Sequence, residues 1–333
     1  MDLRQRAQEL PLVSIISPSL NQGQFLEETI LSVLSQDYQN IEYIIIDGGS
    51  TDGSIDIIRK YEDRLAYWVS EADAGQSDAL NKGFRMARGD ILGWIGTDDV
   101  YEPRAVSTAV TALLDNPDWA MVYGDFNYID PAGRIVGTNR LGDFDLAALA
   151  RFNFIVAPAA FMREKIYSSV GPWDTSLHFM IDYDVWLRIC LRYRISHVAE
   201  VLANCRINPM AKNMVGWMRC RDDYLCIYQK FLEMPYLPKV VRCGMHESMG
   251  HIYLERRKWL QAFYHFAKSL LLASTNDELC RRMAVAVLRV IIGKEKTLSL
   301  RQSLRKYGLR KSPIEEEDPI VALATRIMGQ SEK

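Results

Sequence analysis

The sequence lacks the features that mark several large classes of protein. No run reaches the roughly 18 apolar residues that a transmembrane helix needs, and the longest candidate, residues 283–292, contains Arg289. The segment MDLRQRAQELP has no apolar core, so we expect no signal peptide. No two of the six cysteines have CxxC spacing, and we expect free thiols rather than a zinc site. Together these absences predict a cytoplasmic protein.

A strong charge of one sign is also missing. The 333 residues include 40 basic and 42 acidic side chains, which leaves a net charge of −2 and no indication of a nucleic-acid partner. No GxxxxGK[ST] loop and no GxGxxG motif follow the first predicted strand, so neither a P-loop nor a dinucleotide fingerprint is present. What the chain does have is a 48% apolar fraction, enough for a substantial core.

Short apolar runs alternate with segments of helical spacing in the first part of the chain. The runs are residues 12–17, 41–46, 65–69, 91–96 and 120–124. This alternation predicts βαβ units and a mostly parallel sheet with helices on both faces. Each run ends in small or polar residues, and ligands of such sheets bind at the carboxyl ends of the strands. We therefore expect a continuous polar rim along one edge.

The character of the sequence changes near residue 215, after which it predicts helices. Residues 244–273 have the small and aromatic positions of a helix pair of the tetratricopeptide type. Residues 255–311 are rich in basic side chains, which fits either an anionic membrane surface or a solvated face of a helical cap. We expect a first domain at 11–215, a helical region at 216–315 and a flexible tail at 316–333.

The predicted rim carries many carboxylates and few cations. Its acids are Asp47, Asp52, Asp73, Asp78, Asp98 and Asp99, and its chief cations are Lys82 and Arg85. A phosphate ligand binds such a rim through a divalent cation, which bridges like charges. The remaining carboxylates would accept hydrogen bonds from ribose hydroxyls or a base N–H. This chemistry fits a nucleoside diphosphate with Mg²⁺ or Mn²⁺.

Four segments, in this order and spacing, resemble the family 2 inverting glycosyltransferases with the GT-A fold. They are VSIISPSLNQGQFLEETILSVLSQ, YIIIDGGSTDGS, DAGQSDALNKGFRMARGDILGWIGTDD and FMIDYDVWLRI, all within residues 11–210. The resemblance implies a GT-A α/β fold, a UDP, GDP or dTDP sugar donor and a divalent metal. It also implies transfer with inversion to a hydroxyl of a glycan or lipid-linked acceptor.

The resemblance also implies roles for particular residues. Asp182 in IDYDVWLR matches the catalytic base, and Asp99 in TDD matches the metal ligand. The residues implied at the nucleotide are Ser17, Pro18, Ser19, Asn21, Asp47, Asp78, Asn81, Asp98 and Arg206. One carboxylate suffices for the chemistry, because an acceptor hydroxyl attacks well only when its proton is accepted as the new bond forms.

The donor side departs from the family pattern at two positions. Gly48 stands where many members have a second acid after Asp47, and Asp78 is the candidate replacement. Thr97 stands where a stricter metal motif has its first acid. Asp52 is better explained by a turn that leads into a helix.

The acceptor side departs from the pattern as well. Ile181 replaces a frequent glutamate, and Asn208, two residues after Arg206, stands in the place of a histidine near the diphosphate. For Asp184 we prefer a helix N-terminal charge over a catalytic role.

Two other functions stay open on the sequence. A sugar-phosphate nucleotidyltransferase would also use a nucleotide and a metal, but SPSLNQGQ lacks the basic residue of its loop. A scaffold that binds a partner through its C-terminal helices would not need Asp99 or Asp182. The basic helices also suggest peripheral contact with the inner face of the cell membrane.

Overall fold

The computed structural model describes residues 10–207, 217–273 and 283. Its strands are β1 (Val13–Ser19), β2 (Ile41–Asp47), β3 (Tyr67–Ser70), β4 (Ile91–Trp94), β5 (Val100–Tyr101), β6 (Trp119–Ile129), β7 (Ile135–Asn139), β8 (Ala160–Arg163) and β9 (Arg194–Arg206). The helices of the described residues are α1 (Gly23–Leu34), α2 (Ser54–Lys60), α3 (Gln76–Met86), α4 (Ala105–Asp115), α5 (Leu146–Leu149), α6 (Glu164–Val170), α7 (Ile181–Cys190), α8 (Trp217–Leu232), α9 (Lys239–Glu255) and α10 (Trp259–Leu272).

The nine strands form one sheet in the order β3-β2-β1-β4-β8-β6-β9-β5, with β7 paired to β6. Strand β1 is parallel to β2 and β4, and β2 is parallel to β3. Strand β8 is antiparallel to both β4 and β6, so β6 runs the same way as β4, and β9 is parallel to β6. Strands β1, β2, β3, β4, β6 and β9 therefore share one direction, which confirms the predicted mostly parallel α/β fold.

The five predicted runs correspond to β1, β2, β3, β4 and β6. Their carboxyl ends lie at the same edge of the sheet, where the sequence places the polar rim. The sequence did not predict β8, which inserts between β4 and β6, or the long strand β9. Strand β9 escapes a pattern search because buried and exposed positions do not alternate regularly along it.

Helix α3 lies close against the sheet because Gly83 has no side chain. A Cβ atom at position 83 would lie 2.5 Å from Cγ2 of Ile16 on β1. Every residue of β1 is buried, so this contact is part of the core. The close approach brings the first turn of α3 to the edge where β1 and β2 end.

The described residues form two compact units. Residues 10–145 and 153–207 belong to the first, and residues 146–152 and 217–273 belong to the second. The predicted helices after residue 215 are confirmed as α8, α9 and α10. The predicted domain bounds, the basic segment up to residue 311 and the tail at 316–333 fall largely outside the described residues and stay predictions.

The second unit contains the predicted helix pair, α9 and α10. A Cβ atom at Gly250 would lie 2.4 Å from the ring of Phe266, so the glycine lets the two helices approach closely. No helix among the described residues is long and apolar enough to cross a membrane. The five cysteines within the described ranges are free thiols, as predicted; Cys280 lies outside those ranges.

Two histidines meet between α9 and α10. The Nδ1 atoms of His246 and His265 are 2.9 Å apart, so one ring donates a hydrogen bond and the other accepts it. Burial, together with the charges of His265, Lys268 and Arg242, lowers the pKa of His246 to about 4. Burial also lowers the pKa of His265. Proton uptake by this pair is therefore opposed in the folded state.

We expect the second unit to lose stability as the pH falls. A histidine in the unfolded chain has a pKa near 6.5, so as the pH falls below this value the unfolded chain binds protons that the folded pair does not. The stability that the pair contributes is thus complete above about pH 6.5 and is lost as the pH falls towards 4. Thermal unfolding of wild type and of His246→Gln/His265→Gln should show a steeper fall in Tm for the wild type over this range.

The matched control is His178→Gln, which changes an exposed histidine of the first unit. This variant should keep the wild-type pH dependence of Tm. Equal slopes for the wild type and the double variant would show that the histidine pair does not carry the effect.

Candidate active site

The loop after β4 brings two carboxylates together at the rim. Its turn is closed by a hydrogen bond of 3.1 Å from the N–H of Asp99 to the carbonyl of Gly96. A Cβ atom at Gly96 would lie 3.0 Å from Oδ1 of Asp98 and 3.4 Å from Oδ2 of Asp99. One oxygen from each acid therefore faces the same small space, beside the buried Thr97.

The two carboxyl groups resist ionisation in this position. Burial raises the pKa of Asp99 well above its usual range, and the charge of Asp98 raises it further. Burial also raises the pKa of Asp98. Arg206 opposes both shifts, and its backbone N–H donates to Oδ1 of Asp99 at 2.9 Å. A cation beside the loop would relieve the remaining repulsion.

The guanidinium of Arg206 holds this loop in place. It donates to the backbone carbonyl of Asp98 at 2.8 Å, to the carbonyl of Asp130 at 3.0 Å and to the carboxylate of Glu28 at 2.6 Å. It also lies over the ring of Phe25, 4.6 Å from the centroid. Arg206 was expected at the diphosphate; the structure instead engages its side chain with the protein, where it positions the loop. A direct contact with the nucleotide stays a prediction.

Asp47, at the end of β2, organises the loop that follows it. Its carboxylate accepts hydrogen bonds from the hydroxyls of Ser50 at 2.6 Å and Ser70 at 2.7 Å, and from the N–H groups of Ser50 and Gly49. Burial alone would raise the pKa of Asp47, but the hydrogen bonds from Ser50 and Ser70 prevail and lower it. Asp47 is thus a charged anchor for the DGGS turn.

The end of β1 lies directly beside this turn. Ser17 is buried and hydrogen-bonds Tyr43 at 2.9 Å, and Pro18 is buried within the strand. Ser19 accepts the N–H of Gly48 at its carbonyl, 2.8 Å away. Its buried hydroxyl helps to lower the pKa of Asp47, although it makes no hydrogen bond of good geometry among the described residues. A buried hydroxyl of this kind at a strand end is suited to a ligand.

Asn21 joins the turns that follow β1 and β2. Its Oδ1 accepts the N–H of Thr51 at 2.9 Å, and its own N–H donates to Ser50 at 2.7 Å. Its φ of 52° lies in the left-handed region, which asparagine tolerates better than most residues. Asp52 accepts the N–H groups of Gly23 at 2.8 Å and Ser54 at 3.1 Å, which confirms its predicted role in a turn before a helix.

Asp78 and Asn81 lie on α3 and both engage protein groups. Asp78 pairs with Lys82 at 3.4 Å and accepts the N–H of Ala74 at 3.2 Å. The amide of Asn81 binds the backbone of Trp173 through two hydrogen bonds, both 2.9 Å long. Through this contact Asn81 ties α3 to the segment that leads into α7. Their contacts with a nucleotide stay predictions.

Asp73 is the carboxylate whose position the sequence did not reveal. A Cβ atom at Gly48 would lie only 2.7 Å from Oδ2 of Asp73, so this carboxylate fills the space that a side chain at position 48 would need. Its other oxygen accepts the N–H of Gly75 at 2.8 Å. The sequence suggests Asp78 as the replacement for the missing acid, and that assignment stays a prediction; the carboxylate that lies beside Gly48 is that of Asp73. Its one signal was its location just after β3.

The two acids of IDYD have different surroundings in the first turn of α7. Asp182 is half-buried, and its Oδ1 accepts the N–H of Tyr183 at 2.8 Å. Asp184 is fully buried and pairs with Arg188 at 2.9 Å, which in turn donates to the carbonyl of Gly171 at 2.8 Å. Asp184 therefore lies in the first turn of the helix, as predicted, and also forms a buried ion pair with Arg188.

The loop after β4 fits a divalent cation that binds together with a diphosphate. Among residues 10–207 and 217–273, no group of three His, Cys, Asp or Glu side chains could hold a metal ion by itself. Mg²⁺ commonly takes one or two carboxylates and completes its coordination with substrate phosphates and water. Asp99 and Asp98 match that arrangement.

Comparison with known proteins identifies the family. The model of glycosyl transferase family 2 matches residues 14–163. An uncharacterized glycosyltransferase of Mycobacterium tuberculosis is 32% identical over 187 residues, which are 54% of this chain and 70% of that relative. The chain belongs to glycosyl transferase family 2. An uncharacterized glycosyltransferase of Rickettsia typhi is 25% identical over 312 residues, 90% of this chain and 93% of that relative.

A solved structure supports the fold independently. The mannosyltransferase PcManGT from Pyrobaculum calidifontis, in complex with GDP-Man and Mn²⁺, matches with a TM-score of 0.58 and 18% identity. The match covers 97% of this chain and 88% of PcManGT. At this identity the likeness shows the GT-A fold alone. The predicted family and fold are confirmed, and this family 2 protein is a glycosyltransferase, which disfavours the nucleotidyltransferase alternative.

Arg206→Lys tests the loop clamp. Lysine keeps the charge, but its single ammonium group cannot reach the carbonyls of Asp98 and Asp130 and the carboxylate of Glu28 together. At least one of these acceptors therefore loses its hydrogen bond. We expect the free energy of unfolding to fall by about 2 kcal/mol or more, as measured by denaturant unfolding. The control is Arg134→Lys, whose side chain is 80% exposed beside the same Asp130. Equal losses in both variants would contradict the clamp.

Proposed function

We propose that this glycosyltransferase moves a sugar from a nucleotide-diphosphate donor to a hydroxyl of a glycan or lipid-linked acceptor, with inversion at the anomeric carbon. The observation that carries the proposal is the pair Asp98 and Asp99, whose oxygens share one small space at the carboxyl end of β4. The complex of PcManGT with GDP-Man and Mn²⁺ supports a donor and a divalent metal of this kind. The base can be that of UDP, GDP or dTDP.

In this proposal the donor binds at the polar rim, between the turn after β2 and the loop after β4. Asp99 and Asp98 would hold Mg²⁺ or Mn²⁺, and the bound cation would supply positive charge to the departing diphosphate. The end of β1 contacts the nucleoside through backbone groups and the hydroxyl of Ser19. Asp73, in the space beside Gly48, accepts a hydrogen bond from the ribose or the base, as a second acid after Asp47 would do.

Asp182 acts as the general base in this scheme. The acceptor oxygen attacks the anomeric carbon while the bond from that carbon to the diphosphate oxygen breaks, and the bonding electrons leave with the diphosphate. The hydroxyl proton passes to the carboxylate of Asp182 as the new bond forms. Asp184 cannot share this role, because it is buried against Arg188.

Nucleotide titration tests the donor site. We expect UDP, GDP or dTDP to raise the Tm in the presence of Mn²⁺ and to have little effect without it. Asp99→Asn should lose the metal-dependent part of the shift, because it replaces a negatively charged ligand of the cation with a neutral amide. Asp118→Asn is the control, since this acid is 63% exposed and pairs with Arg194 away from the loop. If none of the three nucleotides gives a metal-dependent shift, the donor site is wrong.

Asp182→Asn tests the catalytic role. The amide is almost the same size but cannot accept a proton, so we expect unchanged nucleotide binding and a loss of transfer of about 100-fold or more. The measurement is the transfer of labelled sugar from the donor that the titration selects. Sugar transfer by Asp182→Asn at the wild-type rate would contradict the role of Asp182 as the general base.

Asp184→Asn provides the comparison for that experiment. It breaks a buried ion pair and should lower the Tm, with less effect on the transfer rate at low temperature. A scaffold that works through its C-terminal helices would keep its function when Asp182 is replaced, so the loss of transfer also separates these two functions.

Peripheral contact with the inner face of the cell membrane would serve a lipid-linked acceptor, and the basic excess of residues 255–311 supports it.

A further inference from the structure

Helix α10 presents an apolar stripe to solvent. The exposed fractions are 85% for Leu260, 57% for Phe263, 56% for Tyr264 and 83% for Leu271. Together with the exposed Ala267, these residues follow the i, i+3, i+4, i+7, i+11 spacing that lines one side of a helix. Isolated exposed apolar residues are common on proteins, whereas a continuous apolar stripe of large side chains marks an interaction surface.

The stripe faces away from the core of the helix pair. The opposite side of α10 carries Ala262, Phe266 and Ser269, which are all buried. Met283, the one described residue beyond position 273, packs against Leu254, Ala262 and Phe266 on that buried side. The stripe therefore does not contribute to this core, and Met283 lies on the other side of the helix.

The charged side chains of α10 and of the turn before it are all basic. Residues 256–273 contain four basic and no acidic side chains, namely Arg256, Arg257, Lys258 and Lys268. Arg256 pairs with Asp222, whereas Arg257 and Lys258 are exposed at the start of α10. Lys268 lies 5.5 Å from the ring centre of Tyr264, at the side of the stripe. Cations beside an apolar face complement an anionic lipid headgroup region.

We propose that this stripe is a lipid-binding surface with which α10 lies on an anionic bilayer. Leu260, Phe263, Tyr264 and Leu271 enter the boundary between headgroups and acyl chains, and Arg257, Lys258 and Lys268 contact lipid phosphates. This surface would provide the membrane contact suggested above for a lipid-linked acceptor, and this link to the acceptor rests on the proposed function. A second copy of the chain fits less well, because facing stripes would bring the cations of two copies together.

Vesicle flotation tests the surface with the full chain. The probes are vesicles of phosphatidylcholine with and without phosphatidylglycerol. Wild type should float with the anionic vesicles, and less so at high salt. Leu260→Gln/Leu271→Gln removes two apolar side chains that are more than four-fifths exposed, and should reduce binding to these vesicles at least about tenfold.

Two controls keep the outcome specific. Leu114→Gln changes a leucine that is 50% exposed on α4 of the first unit, and should float like the wild type. Arg257→Gln/Lys258→Gln should weaken binding to anionic vesicles alone. The proposal is overturned if the wild type does not float, or if the double leucine variant floats as well as the wild type. It is also overturned if that variant only converts a wild-type dimer into a monomer.

The same proteins separate this inference from the proposed function. The metal-dependent Tm shift by nucleotide should be unchanged in the double leucine variant, because α10 lies outside the unit that contains the loop after β4. Flotation without a metal-dependent rise in Tm by any of the nucleotides would support the lipid-binding surface and contradict the proposed donor site. A nucleotide shift without flotation would support the donor site and overturn the surface.

Discussion

The structure of the candidate active site depends on one buried guanidinium. Two adjacent acids at the end of a buried strand repel each other, and burial makes their ionisation more costly. Arg206 offsets this cost with its charge and with hydrogen bonds that fix the loop from both sides. Its remaining donors bind Asp130 and Glu28, so the loop is joined to β6 and α1. The geometry at Asp98 and Asp99 thus follows from a residue far away in the sequence.

The sequence could predict the first half of the sheet because its information there is local. Each of the strands β1 to β4 is a short apolar run that ends in polar residues, and such runs in parallel order place their ends at one edge. The position of Arg206 is not local. It depends on β9 pairing with β6, through register shifts around Gly124 and Asp125 that no periodic pattern encodes.

The donor side shows why counting acids is not enough. The sequence showed that Gly48 replaces an acid and proposed Asp78, which belongs to a familiar motif. In the structure Asp78 pairs with Lys82, and the carboxylate beside Gly48 comes from Asp73 at the end of the next strand. The same holds for Asp184: its position in a helix was predictable, but its burial against Arg188 was not. Residue type and spacing predict the edge, and only packing decides which side chain fills each place.

The carboxylate pair also determines how metal and donor would bind. Asp99 already accepts a hydrogen bond from Arg206 through one oxygen, which leaves few protein ligands for a cation on this loop. Within the described residues, three suitable side chains do not converge on one point. A cation would therefore be held weakly by the protein alone and strongly once phosphate oxygens complete its coordination. Because each ligand supplies what the other lacks, metal and nucleotide diphosphate should bind cooperatively, and the affinity of each should depend on the presence of the other.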